Sequence, residues 1–189
     1  MDLGTGDGRF VLAQAAAIPD RLVLGVDAVA DPMIDASRRA GRSPARRGLP
    51  NARFVVASLE ALPPELDGLV DQLTVHFPWG TLRDAAIGRD AMATARLARL
   101  LAPAGRLELL VADGERDAAA HLDPAAVVVA YAAVGLEVEA RPATLADAIG
   151  AHSSWGKRLL RNTAPGRSAW YFQCRARSTS SRLPTRIEP

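Results

Sequence analysis

Asp2-Leu3-Gly4-Thr5-Gly6-Asp7-Gly8 is the stretch of sequence that decides the fold. Its three glycines allow a tight backbone turn and let a ligand approach without a Cβ in its path. A helical apolar pattern follows, and then a short apolar run from Leu22 to Val26 that suits a buried parallel strand. The stretch therefore predicts the first strand-to-helix turn of an α/β domain, which is where such folds bind their ligands.

Strand and helix patterns alternate along the rest of the chain, as expected for a largely parallel sheet with helices on both faces. Later strands are predicted at 53–57, 72–77, 107–111, 136–141 and 169–175, and helices near 32–40, 90–101 and 124–134. Residues 145–167 are predicted to form a helix plus a loop. We expect one domain over residues 1–177 and a disordered tail over residues 178–189, which are rich in Ser, Arg and Pro.

Composition excludes several classes of function. A chain of 189 residues, 49% hydrophobic and 23% charged, is typical of one soluble globular domain. Cys174 is the only cysteine, which rules out an intramolecular disulfide and argues against a cysteine-based zinc site. No apolar run is long enough to cross a bilayer and no secretory signal is visible, so we expect a cytoplasmic protein without a membrane partner.

The acidic residues around the glycines favour a cationic ligand. A dinucleotide fold has G-x-G-x-x-G and directs a helix terminus at pyrophosphate, whereas here the spacing is G-x-G-x-G and Asp7 would repel phosphate. Asp2 can meet an ammonium group, and Asp27 can accept hydrogen bonds from ribose hydroxyls. S-adenosylmethionine is therefore the favoured cofactor, with a dinucleotide or a ligand-free glycine turn as alternatives. Glu60 could meet the adenine or only favour a helix amino terminus.

Two tryptophans are candidate substrate residues. Trp79 lies in Phe77-Pro78-Trp79-Gly80, directly after the predicted fourth strand, although a packing role would suit that position equally. Trp155 lies in a polar and basic segment, 153–158, where a core tryptophan is rare. The pair could sandwich a flipped nucleobase while nearby arginines hold RNA phosphates.

Taken together, these motifs resemble the 16S rRNA (adenine(1408)-N(1))-methyltransferases that confer kanamycin and apramycin resistance. The resemblance extends from Asp2 to about Phe172, and its matching stretches are 2–9, 25–27, 44–51, 60–63, 77–82 and 153–159. The glycine-rich stretch is common to many methyltransferases. The specific part is the ordered pair formed by Phe-Pro-Trp-Gly and Ser-x-Trp-x-Lys-Arg-Leu.

The resemblance implies the Rossmann-like, seven-stranded class I S-adenosylmethionine-dependent methyltransferase fold. It also implies N1 methylation of the decoding-site adenine of the 30S subunit by a monomeric enzyme. The catalytic residues would be Trp79 and Trp155, with no metal. The cofactor would be bound by Asp2, Gly4, Gly6, Asp27, Leu59, Glu60, Thr81 and Ser153. RNA would be bound by Arg38, Arg39, Arg42, Lys157, Arg158 and Arg167.

No side chain is predicted to act as a general base. Adenine N1 carries an in-plane lone pair and no proton, so it can attack the methyl group directly. In the sequence, His76 and His121 have no obvious carboxylate partner, and His152 suits a surface loop equally well. The product ring is cationic, and stacked tryptophans would stabilise it by cation–π attraction.

The sequence begins within a predicted strand. Met1-Asp2-Leu3 corresponds to the last residues of a first, central strand, so most of that strand and an amino-terminal hairpin are expected to be missing, through a misplaced start or a truncation.

The alternatives to the rRNA enzyme are a tRNA guanine-N7 methyltransferase, a small-molecule methyltransferase and a non-catalytic ribosome-binding remnant.

Overall fold

The computed structural model describes residues 1–113, 122–161 and 168–176. Their strands form one sheet in the order β3-β2-β1-β4-β5-β7-β6. Neighbouring strands from β3 to β5 are parallel, whereas β7 runs antiparallel to both β5 and β6. The strands are β1 (Asp2–Leu3), β2 (Val23–Asp27), β3 (Ala52–Val56), β4 (Val70–His76), β5 (Leu101–Asp113), β6 (Leu136–Pro142) and β7 (Ser168–Ala176).

Helices cover both faces of this sheet, which confirms the predicted α/β class. Asp90 and Asp123 begin the fourth and fifth helices, since their carboxylates accept hydrogen bonds from the Ala93 and Ala125 backbone N–H groups. The helices are α1 (Arg9–Ala17), α2 (Ile34–Ala40), α3 (Gly80–Ala86), α4 (Ala91–Leu100), α5 (Pro124–Ala133), α6 (Leu145–Gly150) and α7 (Ser154–Arg161).

The structure differs from the predicted elements in three places. A helix, α3, begins at Gly80, the last residue of the Pro78-Trp79-Gly80 break, where none was predicted. The strand predicted at 107–111 begins at Leu101, because the chain passes Pro103 with a register shift against β4 instead of leaving the sheet. The segment predicted as one helix plus a loop holds two helices, α6 and α7. The predicted tail lies outside the described residues.

The largest core cluster lies on one face of β4 and β5. Leu73, Val75, Leu107 and Leu109 are fully buried there, each removing apolar surface worth about 1.5 to 3 kcal/mol from water. A second cluster joins α1 and α2 to β3. Among the described helices, none combines the length and the hydropathy that a bilayer span requires.

The central strand, β1, pairs with a neighbour on each side. Asp2 of β1 pairs with Gly25 of β2 on one side and with Thr74 of β4 on the other. The amino group of Met1 donates a hydrogen bond to the Gln72 carbonyl oxygen at 2.7 Å, and burial lowers its pKa. Beyond Met1, β2 and β4 border a cavity of about 460 Å³.

Candidate functional site

A second cavity, of about 490 Å³, opens at the carboxyl ends of β1, β2 and β4. The strand order reverses between β1 and β4, and ligands of open α/β sheets bind at such a reversal. The volume lies within the range of small-molecule sites. All eight predicted cofactor residues line this cavity: Asp2, Gly4, Gly6, Asp27, Leu59, Glu60, Thr81 and Ser153.

The glycine-rich loop needs its glycines. Gly4, Gly6 and Gly8 have φ angles of 74°, 55° and 68°, in the left-handed region that other residues rarely adopt. A Cβ on Gly8 would lie 2.6 Å from Cβ of Ala36 and 2.6 Å from the ring of Phe54, whereas a Cβ on Gly6 would meet nothing within 4 Å. The loop therefore packs tightly against α2 and β3 at Gly8 and leaves open space at Gly6.

Asp27 holds the loop in place from the end of β2. Its Oδ2 accepts a hydrogen bond from the Gly6 backbone N–H at 2.9 Å, and its Oδ1 accepts one from the Val29 backbone N–H at 3.0 Å. Each carboxylate oxygen has a second lone pair, so Asp27 can still accept hydrogen bonds from ligand hydroxyls. Leu59 is buried and Glu60 is exposed where the chain leaves β3.

Asp2 and His76 form a buried polar pair that the sequence did not reveal. The Asp2 Oδ1 atom accepts a hydrogen bond from the Thr74 hydroxyl at 2.7 Å, and it lies 3.9 Å from Nδ1 of His76. The edge of Phe10 packs against the imidazole, with ring centroids 4.7 Å apart. Parallel pairing of β1 with β4 thus brings a carboxylate near His76 that the sequence did not indicate, although the two side chains are not hydrogen-bonded.

Phe77 anchors the motif that follows β4. It is buried, its backbone N–H donates to the Leu110 carbonyl oxygen at 2.6 Å, and its φ of 53° is unusual for a bulky residue. Trp79, two residues later, lines the cavity and is 55% exposed. This exposure argues against the packing role that the sequence left open for Trp79.

The two tryptophan motifs meet through Gly156. A Cβ on Gly156 would lie 2.3 Å from the Phe77 ring, so α7 approaches Phe77 as closely as it does because this residue is a glycine. The Ser153 hydroxyl accepts a hydrogen bond from the Gly156 backbone N–H at 2.9 Å and sets the first turn of α7. Trp155 lies in this turn, and its side chain is outside the described part of the structure.

An ion pair fixes the helix that precedes α7. Both carboxylate oxygens of Asp147 accept hydrogen bonds from the Arg141 guanidinium at 2.7 Å, and Thr144 completes a capping box at the start of α6. The Arg141 guanidinium also lies 4.2 Å from the ring centroid of Tyr171. The hydrogen bonds from Arg141 hold the pKa of Asp147 well below its usual value. The end of α6 is thereby held where Ala151 and Ser153 line the cavity.

Within the described ranges, the predicted RNA-binding residues do not line the cavity. Arg38, Arg39 and Arg42 are exposed at and beyond the carboxyl end of α2. Lys157 and Arg158 lie on α7, within four residues of the cavity-lining Ser154. Arg167 falls outside the described residues.

His76 and Thr5 are functional candidates that sequence reasoning missed. Among the described residues, Nδ1 of His76 and Oγ1 of Thr5 are the buried side-chain atoms without a hydrogen-bond partner, and both residues line the cavity. The alternation of side chains along β4 could have indicated the position of His76, because it places His76 on the same face of the sheet as Thr74. No group of three or more His, Cys, Asp or Glu side chains within the described ranges could hold a metal ion.

Comparison with known proteins relates the whole domain to one family. The sequence profile of the family described as "NpmA: 16S rRNA (adenine(1408)-N(1))-methyltransferase" matches residues 1–169. A 16S rRNA (adenine(1408)-N(1))-methyltransferase of Escherichia coli is 39% identical over 87 residues, which is 46% of this chain and 40% of that relative. The chain is therefore matched to less than half of the length of this curated relative.

Solved structures match over more of their length. The chain covers 85% of a 16S rRNA (adenine(1408)-N(1))-methyltransferase from Catenulisporales acidiphilia, a tryptophan-to-alanine mutant with the cosubstrate SAM. That structure covers 95% of this chain at 31% identity, with a TM-score of 0.77. The antibiotic-resistance methyltransferase Kmr matches at 38% identity and a TM-score of 0.74, covering 95% of this chain and 86% of its own. These similarities favour the ribosomal RNA interpretation over the tRNA alternative.

Proposed function

Since the chain belongs to the NpmA family of 16S rRNA (adenine(1408)-N(1))-methyltransferases, we propose that it transfers a methyl group from S-adenosylmethionine to N1 of that adenine in the 30S subunit. Such a modification would give resistance to kanamycin and apramycin. One observation carries the proposal: a single cavity gathers all eight predicted cofactor residues together with Trp79.

The chemistry of the cavity fits a cationic cofactor. Four carboxylates line it, those of Asp2, Asp7, Asp27 and Glu60. Open space at Gly6 and the unpartnered Oγ1 of Thr5 leave room and a hydrogen-bonding group for a ligand. Asp2 would bind the ammonium group of the methionine portion and Asp27 the ribose hydroxyls, while Leu59 and Glu60 would flank the adenine.

Bound S-adenosylmethionine supplies a methyl group activated by positively charged sulfur. Trp79, exposed at the rim of the cavity, would stack on the target base after it leaves the RNA helix, and Trp155 would take the opposite face. No general base is required, because adenine N1 has a lone pair and no proton. The tryptophans would instead orient the ring and stabilise its developing positive charge, by about 1 to 2 kcal/mol where water is excluded.

Basic residues outside the cavity would bind the ribosomal surface. Lys157, Arg158 and Arg167 would hold phosphates beside the target base, and the exposed arginines of α2 would contact the 30S subunit at a distance from it. This substrate implies a cytoplasmic protein. We expect it to act as a monomer, which light scattering of the purified protein would check.

Primer extension across the decoding site tests the proposal. The protein is incubated with S-adenosylmethionine and either 30S subunits or tRNA, and reverse transcription is then run on each RNA. N1 methylation blocks the pairing edge of adenine, so the expected result is a new stop at that adenine in 30S subunits only. Methyl transfer to a guanine of tRNA, or no transfer despite measurable cofactor binding, would refute the proposed activity.

A further inference from the structure

His76 lines the proposed cofactor cavity and has a buried ring nitrogen without a hydrogen-bond partner. It is the last residue of β4, its side chain is 11% exposed, and it lines the cavity together with Asp2. Its Nδ1 atom is buried and has no hydrogen-bond partner. A buried polar atom without a partner destabilises the unliganded chain, and a ligand that bonds to it would remove that cost.

The surroundings of His76 fix its ring and its charge. Phe10 of α1 packs edge-on against the imidazole, and Asp2 of β1 lies 3.9 Å from Nδ1. The charged groups around the ring are carboxylates: Asp2, Glu108 of β5, and Asp7 in the loop that lines the same cavity. Burial lowers the pKa of His76, with Asp2 and Glu108 opposing this effect, so the imidazole is neutral at pH 7.

We infer that His76 is a further cofactor-binding residue, whose Nδ1 atom, with the ring proton on Nε2, accepts a hydrogen bond from the ammonium group that Asp2 binds. This inference rests on the proposed function. Asp2, on β1, and His76, on β4, together offer the ammonium group one charged and one neutral hydrogen-bond acceptor. The Thr74 hydroxyl, which donates to Asp2 Oδ1, keeps that carboxylate in position beside the imidazole.

Protonation of His76 reverses its effect on the ligand. The imidazolium has no lone pair at Nδ1, it repels an ammonium group, and it forms an ion pair with Asp2. Acidification through the pKa of His76 therefore weakens the binding of ligands that carry the ammonium group. It leaves ligands without that group unaffected.

Calorimetry with two related ligands tests this inference. S-adenosylhomocysteine keeps the ammonium group of the cofactor, whereas 5′-methylthioadenosine lacks it. For the wild-type chain, we expect the affinity for S-adenosylhomocysteine to be constant from about pH 8 to pH 7 and to fall only below the ordinary histidine value of about 6.5, because burial lowers the pKa of His76. The affinity for 5′-methylthioadenosine should stay constant over the same range.

Three variants assign the pH dependence to one side chain. His76→Asn keeps an acceptor near the position of Nδ1 but does not titrate, so its affinity at pH 7.5 should stay within about threefold of wild type and should not change with pH. His76→Leu should bind S-adenosylhomocysteine about tenfold more weakly at pH 7.5. His152→Asn, at a second cavity-lining histidine, should keep the wild-type pH dependence.

The inference is wrong if His76→Asn loses affinity on acidification as the wild type does, or if both ligands respond equally to pH. Because the wild-type profiles need no variant, a misfolded variant does not remove the test. Absence of S-adenosylmethionine binding at every pH would instead refute the proposed function.

Discussion

Gly8 is the loop residue at which an added Cβ atom would make the shortest contacts. Gly8→Ala would place a Cβ 2.6 Å from both Ala36 and Phe54 and would also strain a φ of 68°. We expect it to lower the free energy of unfolding by about 2 to 4 kcal/mol. Gly6→Ala is the matched control, because its φ is 55° but its Cβ meets no atom, and it should cost about 1 kcal/mol. Urea denaturation compares them, and equal losses would show that packing at Gly8 is unimportant.

Trp79 is the residue that distinguishes substrate positioning from cofactor binding. Trp79→Ala should slow methylation of 30S subunits by about tenfold or more, because it removes one stacking face and its cation–π attraction. The affinity for S-adenosylmethionine, measured by calorimetry, should change by less than about twofold, since cofactor binding is assigned to other residues.

Two controls accompany the Trp79 variant. Trp79→Phe should recover most of the activity because it restores an aromatic face. Met92→Ala truncates another exposed apolar side chain, 77% exposed on α4 and outside the cavity, and should leave the rate unchanged. Full activity of Trp79→Ala would rule out the stacking role.

At the scale of elements, α6 depends on one carboxylate. Asp147 is bound by Arg141 and caps the helix with Thr144, and its pKa is lowered in the folded chain. A lowered folded-state pKa gives a contribution that is present above the ordinary Asp value of about 3.9 and is lost as the pH falls below it. Asp147→Asn should therefore cost about 1 to 2 kcal/mol at pH 7, and the difference from wild type should shrink below about pH 4.

Asp123→Asn is the matched control for that prediction. Asp123 caps α5 through the Ala125 backbone N–H, and no arginine bond to it is seen in the described residues. Because Asn is as good a capping residue as Asp, this change should cost less than about 0.5 kcal/mol. Equal losses in the two variants would show that the Arg141 ion pair adds nothing.

At the scale of the whole molecule, sequence reasoning predicted the features that depend on residues close together in the chain. The glycine-rich loop, the strand-end position of Asp27 and most helices follow from local patterns of glycine, acid and apolar residues. The contact of Gly156 with Phe77 and the approach of Asp2 to His76 join residues about 80 and 70 positions apart, as pairing and packing bring them together. The helix α3 was missed because Pro78 and Gly80 indicate a break and not a helix start.

Charge is divided between the cavity and the outer surface. Carboxylates line the cavity, where a cationic cofactor would bind, while exposed arginines lie on α2 and α7, where they could meet RNA.

Joint replacement of Arg38, Arg39 and Arg42 by Ala should weaken 30S binding. It should also reduce the slope of log affinity against log salt by about 1 for each arginine that contacts a phosphate. The matched control is Arg106→Ala with Arg175→Ala. These exposed arginines are register partners on β5 and β7, at the end of the strands opposite the cavity. Filter binding over a potassium chloride series measures both. An unchanged slope for the α2 variant, or an equal change in the control, would place the RNA contact elsewhere.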